Sequence, residues 1–139
     1  MFVILLTLLL VLGYGVSLKI LRLPVYLVGI VLFALGLAWV ISALNVFLRD
    51  IGQVLGVVVN LWFYFTPIIY PLNLIPEGFR AWFALNPMLH PVEGYRVALL
   101  GRGEPSLTGL IIIFGWGIGT FAIGGFTFKR LKPAFADVL

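Results

Sequence analysis

Residues 23–76 have the sequence LPVYLVGIVLFALGLAWVISALNVFLRDIGQVLGVVVNLWFYFTPIIYPLNLIP, in which Arg49 and Asp50 are the only charged side chains. A helix needs about 20 apolar residues to cross the hydrocarbon core of a membrane. The uncharged stretches on the two sides of this pair are each long enough. We therefore predict transmembrane helices at residues 23–48 and 51–70, joined by a tight turn at the charged pair.

Two more uncharged stretches lie outside this hairpin, at residues 1–18 and 106–128, and we predict a transmembrane helix in each. Hydrophobic residues make up 63% of the 139 residues and charged residues only 10%. A soluble domain carries roughly 25% charged residues. The mean hydropathy of +1.19 points the same way. The predicted fold class is all-α integral membrane, a single domain over residues 1–139 with four transmembrane helices.

The chain between the third and fourth predicted spans, residues 71–104, contains too many prolines to cross a membrane; we call this segment the insert. Its aromatic-rich pieces at residues 79–85 and 91–100 are amphipathic, and we expect Glu93 and Arg96 to pair on one helix face. We predict two short helices that lie in the membrane interface or re-enter the bilayer. Broken backbone at membrane depth persists only against protein or a water-filled cavity, so the insert indicates a pathway.

The charges outside the spans bear on partners and orientation. The net charge is +4, but the basic residues form no stripe, so nucleic acid is not an expected partner. Four spans place both termini on one side of the membrane. Lys129, Arg130 and Lys132 lie directly beside the last span. Because positive residues next to a helix end favour the cytoplasm, we expect both termini to be cytoplasmic.

The sequence has no pattern typical of an enzyme. It lacks a G-x-x-x-x-G-K-[ST] phosphate-binding loop, and it has no cysteine and a single histidine, His90, which cannot form a metal site alone. No Ser-His-carboxylate set is evident among its few polar residues. We therefore expect no catalytic residue, no metal and no cofactor on this chain.

The pair Arg49–Asp50 and the following Ile51 allow two interpretations. As a plain turn, Asp50 would cap the next helix and the Arg49 side chain would extend to the lipid headgroups. As a functional site, the turn would contact a cytoplasmic partner that drives the membrane part. The residues alone favour the plain turn, and both interpretations stay open.

Aromatic residues concentrate at the end of the third span and in the insert. An interfacial aromatic belt explains them. However, Trp62, Phe65 and Ile69 recur at helical spacing, so some rings should face neighbouring helices. Rings that line a wide path could also stack on the apolar faces of sugars. The candidate channel and gate residues are Trp62, Phe65, Tyr70, Trp82, Phe83 and Tyr95.

Other polar and small residues in the spans have ordinary structural interpretations. Asn45 and Asn60 are expected to hydrogen-bond between helices. Glycines four residues apart allow two membrane helices to approach closely. Such pairs occur at Gly52-x-x-x-Gly56 and Gly115-x-x-x-Gly119.

Several short motifs follow one another in an order that resembles a known family. They are LNVFLRDIGQ at 44–53, FTPIIYP at 65–71, IP at 75–76, LNPM at 85–88, VEGYR at 92–96 and FKRLKPAFAD at 128–137. Their order and spacing resemble the C-terminal part of type-2 ABC exporter permeases. The resemblance is strongest to the permeases that export O-antigen, capsular polysaccharide or teichoic acid, and it covers nearly the whole chain.

This resemblance implies that the four spans are the last four of six, in the inner membrane of a bacterium. It implies a homodimeric permease that lies among membrane lipids and moves a lipid-linked glycan. A separate ATPase subunit would bind the ATP. The turn at Arg49, Asp50 and Ile51 would contact that ATPase, and the insert would form a gate on the outer side. The N-terminal part of the family pattern is missing.

Three other functions stay open. The first is a type-2 ABC permease for drugs or lipids, which the insert argues against because it resembles the polysaccharide branch. The second is a membrane transferase acting on lipid-linked sugar, which would need a carboxylate or histidine at membrane depth. The third is a small structural protein or a non-functional truncated permease.

Overall fold

The computed structural model describes residue 11 and residues 21–48, 50–100 and 106–133. Their secondary structure is helical, with no strand in these ranges. The five α-helices are α1 Leu23–Phe47, α2 Ile51–Phe65, α3 Glu77–Ala84, α4 Leu89–Leu100 and α5 Leu107–Leu131, and a 3₁₀ turn lies at Leu72–Leu74.

Helix α1 has the bounds of the predicted second span to within one residue. It begins with Pro24 in its first turn, where the missing N–H has no partner to lose. Helix α5 begins one residue after the start of the predicted span 106–128 and ends three residues beyond it. Its last turn includes Lys129 and Arg130, whose charges interact favourably with the carbonyl end of the helix dipole.

Helices α1 and α5 pack side by side and run in the same direction. Gly29 lies against Gly117, and seven residues later Gly36 lies against Gly124. An added Cβ at Gly36 would lie 2.5 Å from the amide nitrogen of Phe121. Only glycine permits this backbone contact, which places the Leu23 and Leu107 ends of the two helices together.

Helix α2 ends at Phe65, so the predicted third span of residues 51–70 is too long. The cause is Pro67, which disfavours helical backbone in the residue before it. Thr66 accordingly has φ −101° and ψ 122°. The chain therefore leaves the helix at Thr66.

Two of the described helices, α1 and α5, are long and apolar enough to cross a membrane, and α2 is a shorter apolar helix. The predicted first span at residues 1–18 lies outside the described residues except for position 11. A count of four spans accordingly stays a prediction.

The insert folds back over the end of the bundle where α1 and α5 begin. Gly94 of α4 lies beneath the ring of Tyr26 in α1, where an added Cβ would be 2.6 Å from the ring. At the start of α4, His90 lies against Gly109 of α5. Helix α4 thus crosses the bundle end and is fixed to both long helices.

The predicted small-residue pairs do not mediate packing. An added Cβ at Gly52, Gly56, Gly115 or Gly119 would meet nothing within 4 Å in the described structure. The asparagine prediction is also wrong for the described part of the chain, because Asn45 and Asn60 are exposed and make no hydrogen bond between these helices.

Candidate functional site

Helix α2 runs toward the end of the bundle where α1 and α5 begin, but it ends before reaching that level. The ring of Trp62 meets Phe33 of α1 edge-on, with centroids 5.6 Å apart. At 1.5 Å per residue, Phe33 lies about 15 Å below the start of α1 and Thr66 about 9 Å below it. Irregular backbone thus begins about 9 Å inside the end of the bundle. Thr66 is only 3% exposed there, and Pro67 is fully buried.

Asn86, at the turn between α3 and α4, fills the space above this break. Its Oδ1 accepts hydrogen bonds from Trp62 Nε1 at 3.0 Å and from the Met88 amide at 3.0 Å. Its Nδ2 donates to Phe65 O at 3.1 Å and to Thr66 Oγ1 at 3.0 Å. The last four carbonyls of a helix have no hydrogen-bond partner within the helix. Asn86 supplies a donor for one of these carbonyls, that of Phe65.

Arg96 makes a second connection between the insert and the segment after α2. Its guanidinium pairs with Glu93 at 2.8 Å, which confirms the predicted ion pair. The same group donates to Ile68 O at 2.7 Å and to Tyr70 O at 3.4 Å. The pair therefore also satisfies carbonyls in the irregular backbone after Pro67.

Aromatic rings surround Asn86 on its open side. A cavity of about 360 Å³ is lined by Phe65, Phe79, Trp82, Phe83 and Asn86. The rings of Phe65 and Phe83 lie 6.1 Å apart. Trp82 is 73% exposed, so the cavity opens away from the bundle. Four predicted gate residues, Trp62, Phe65, Trp82 and Phe83, thus meet around one asparagine.

The other two predicted gate residues lie elsewhere. Tyr70 donates its hydroxyl to Tyr64 O at 2.6 Å, on the exposed side of the α2 end. Tyr95 lines a separate groove of about 440 Å³, with Ile68 and Met88 among its neighbours. Ile69 is 72% exposed and lies beyond the end of α2, so the helical spacing of Trp62 and Phe65 does not extend to it.

The opposite end of α2 holds the predicted contact turn. Arg49 lies outside the described residues. Asp50 is exposed, and its side chain makes no capping hydrogen bond, so the predicted cap is wrong. Its backbone carbonyl instead accepts from Gln53 and Val54, at 3.1 and 3.2 Å. Ile51 is half-buried. The 15 residues of α2 separate this turn from the Asn86 site by about 22 Å.

The chemistry of the site is that of shape and hydrogen bonding. The described residues contain no group of three or more His, Cys, Asp or Glu able to hold a metal ion. His90 donates from Nε2 to Ala84 O at 3.0 Å, so it connects the end of α3 with the start of α4. The buried side-chain polar atoms of the described chain all have partners.

Sequence reasoning missed Asn86, Thr66 and the carbonyl contacts of Arg96. A signal was present, because Thr66 and Asn86 each precede a proline, and the residue before a proline favours extended or turn backbone. Asparagine and threonine at such turns often bond to nearby backbone. The bond to Trp62 Nε1, 24 residues away, carries no sequence signal.

Comparison with known proteins gives one family. The family model of the ABC-2 type transporter matches residues 1–100. The chain is similar to an O-antigen export system permease protein RfbA from Klebsiella pneumoniae, 32% identical over 116 residues, covering 84% of this chain and 44% of that protein. A protein of the same name from Myxococcus xanthus is 30% identical over 142 residues, covering 98% and 55%. The chain spans about half the length of the curated relatives it matches.

Proposed function

The chain belongs to the ABC-2 type transporter family, and on that premise we propose that it is the transmembrane subunit of an ATP-driven exporter of lipid-linked polysaccharide. The substrate class is a glycan such as O-antigen, capsular polysaccharide or teichoic acid. The names of the relatives support export of O-antigen by those proteins. The proposed location of this subunit is the inner membrane of a bacterium.

One observation carries the proposal, the break in α2 beneath the aromatic insert. Irregular backbone at membrane depth needs protein or a water-filled path beside it. Thr66 and Pro67 meet this condition by burial, while the cavity lined by Trp82 and Phe83 opens outward. The insert in this proposal re-enters the membrane and closes the outer end of the glycan path, with aromatic rings against which sugar faces can slide.

The proposed partners are a separate ATPase subunit and a second copy of the chain. The ATPase binds the ATP and contacts the turn of Arg49, Asp50 and Ile51, so this chain needs no cofactor. The second copy covers α2, whose residues Val54, Val57 and Leu61 form one apolar face. They are 59, 61 and 58% exposed, and spacings of three and four residues place them on the same side of the helix.

The parallel packing of α1 and α5 supports an orientation. It places the Asp50 turn and the basic end of α5, at Lys129 and Lys132, on one side and the insert on the other. Because positive residues favour the cytoplasm, we propose that the basic end is cytoplasmic. The chain has no cysteine. Gly78→Cys should therefore react with an impermeant thiol reagent in intact cells, whereas Lys132→Cys should not. The reverse pattern would overturn the orientation.

A graft tests the function. The whole chain replaces the matching segment of the Klebsiella pneumoniae relative, in cells that lack their own O-antigen permease, and surface O-antigen is measured. Export by the graft supports the proposal. A graft that enters the membrane at the parental level and exports no glycan contradicts it.

A second graft carries Asp50→Ala. Its expected phenotype is reduced export with unchanged membrane insertion, because an exposed side chain at a turn contributes little to folding. Arg49→Ala is the companion variant, with the same expectation. Normal surface glycan in both variants would leave the turn as a plain connection between helices.

A further inference from the structure

The described chain divides into a firmly packed part and a lightly packed part. Helices α1, α4 and α5 share buried contacts, among them Gly94 beneath Tyr26 and Ile113 against Gly29. Neither α2 nor α3 has a single buried residue. The two lightly packed helices lie on either side of Asn86, through which they are connected.

Asn86 uses its full hydrogen-bonding capacity, two acceptor positions and two donors. Three of the four bonds go to the last turn of α2 and the residue that follows it, through Trp62, Phe65 and Thr66. The fourth bond is to the amide of Met88 and fixes the turn that leads into α4. One side chain thus holds the end of α2 and the α3–α4 turn in a single geometry.

We infer that Asn86 is a positioning residue that ties the insert to the end of α2, so that α3 follows α2 when α2 is displaced. The inference rests on the proposed function, in which the far end of α2 contacts the ATPase. Helix α4 stays fixed to α1 and α5, so α2 and α3 move together against this fixed part. Export requires the gate to respond to ATP, and this link carries the response over the length of α2.

The chemistry of the link selects asparagine. Aspartate would keep the acceptors for Trp62 and Met88, but it would replace the two N–H donors with an oxygen facing Phe65 O and Thr66 Oγ1. Phenylalanine at position 62 would keep an aromatic ring near Phe33 but would remove the N–H donor together with part of the indole ring. The two substitutions therefore break different bonds of the same link, and Asn86→Asp does so with little change in volume.

The test measures two distances between spin labels in the chain reconstituted into lipid nanodiscs. The first pair, Gly56→Cys with Gly78→Cys, reports on α2 against α3, and Gly56 lies outside the apolar face of α2 that the second copy covers. The second pair, Leu35→Cys with Ile118→Cys, reports on α1 against α5. All four positions are exposed, and the chain has no other cysteine. When labelled chains are diluted in an excess of unlabelled chains, the parent should give one narrow distance for each pair.

Asn86→Asp and Trp62→Phe should each broaden the α2–α3 distance and leave the α1–α5 distance unchanged. The population of the separated state should rise about fivefold for each hydrogen bond lost. Asn60→Asp is the matched control, the same chemical change at an exposed asparagine of α2, and it should alter neither distance. A residue that merely stabilised the fold would broaden both pairs.

An unchanged α2–α3 distance in both variants would overturn the inference, and so would equal broadening of both pairs. If Asn86→Asp fails to insert, Trp62→Phe still decides the question. Ion leak through liposomes containing the same variants tests the proposed function separately. A broadened α2–α3 distance without any leak supports the link and contradicts the channel gate.

Discussion

Helices α1, α2 and α5 are all strongly apolar, yet the α1–α5 pair and the connection of α2 to the insert are held by different forces. Helices α1 and α5 touch through backbone at Gly36 and Gly124, where a methyl group would not fit. Helix α2 keeps most of its side chains exposed and is joined to the insert by hydrogen bonds from Asn86 and Arg96. Hydrophobicity alone therefore does not determine which helices pair in this chain.

The physical reason lies in the solvent. Lipid tails are as apolar as leucine, so burying an apolar side chain between membrane helices gains little. Close van der Waals contact at small residues and hydrogen bonds between polar groups remain as the forces that choose partners. The α1–α5 pair is held by close contact at glycines, and α2 is held to the insert by hydrogen bonds. This difference agrees with the proposal that α1 and α5 stay fixed while α2 moves.

The largest expected effect is the loss of the α1–α5 contact in Gly36→Leu. The leucine side chain would collide with the backbone of Thr120 and Phe121. We expect the free energy of unfolding, measured by titration from mild detergent into sodium dodecyl sulfate, to fall by about 3 kcal/mol.

Gly115→Leu is the control for this experiment. It is a glycine of α5 with open space around it, and its free energy of unfolding should change by about 0.5 kcal/mol or less. Equal losses of unfolding free energy in Gly36→Leu and Gly115→Leu would show that the glycine contacts, spaced seven residues apart, do not hold α1 against α5.

This contrast also explains what the sequence could predict. Charges and prolines act locally, so the gaps between them gave the bounds of α1 to within one residue. The end of α2 was missed because hydropathy continues through Ile68 and Ile69, whereas Pro67 had already broken the helix. A stricter use of the proline rule would have found it.

The helix pairing could not be predicted in the same way. Glycines four apart at Gly115 and Gly119 look like a contact, but the face they occupy is open. The glycines that do meet are seven apart on two helices, and their register depends on the shapes of both surfaces. The Asn86 link depends on the same three-dimensional register, because its partners lie 20 to 24 residues away.

The second effect concerns the polar side of the comparison. Arg96→Met keeps the side-chain stem and removes the donors to Ile68 O and Glu93. Hydrogen bonds to charged groups contribute about 1.5–3 kcal/mol when buried. Because the Arg96 side chain is 29% exposed, we expect a loss of about 1.5 kcal/mol in the same titration.

Arg80→Met is the control, since Arg80 pairs with Glu77 at 3.6 Å and donates to one carbonyl, Ile75 O at 3.1 Å, and both side chains of the pair are more exposed, at 44 and 90%. Its loss should be below about 1 kcal/mol. A loss in Arg80→Met as large as that in Arg96→Met would mean that the greater burial of the Arg96 pair adds nothing.

A smaller effect is expected at the start of α5. The Ser106 hydroxyl accepts from the Gly109 amide at 3.3 Å and caps the helix. Ser106→Ala should cost about 1 kcal/mol, whereas Ser42→Ala, at an exposed position within α1, should cost about 0.5 kcal/mol or less. A Ser106→Ala variant as stable as the parent would mean that the hydroxyl does not act as a cap.

The smallest effect on stability is expected where the proposed effect on function is greatest. Trp82 is 73% exposed, and Phe83 meets Phe65 at 6.1 Å on the open side of the cavity. The double variant Trp82→Ala/Phe83→Ala should change the free energy of unfolding by less than about 1 kcal/mol. In liposomes with the ATPase and without ATP, it should leak small ions while the parent stays tight, because in the proposed function these rings close the outer mouth.

Ile118→Ala/Phe126→Ala is the matched control, since it removes apolar bulk from two exposed positions of α5, which are 60 and 66% exposed. This control should be as stable and as tight as the parent. Both double variants lose exposed apolar surface, but only Trp82→Ala/Phe83→Ala loses it beside Asn86. Comparing them therefore distinguishes rings that close the channel from rings that only anchor the insert in the membrane interface. If Trp82→Ala/Phe83→Ala is as tight as the control, the rings anchor the insert in the interface and the gate assignment is wrong.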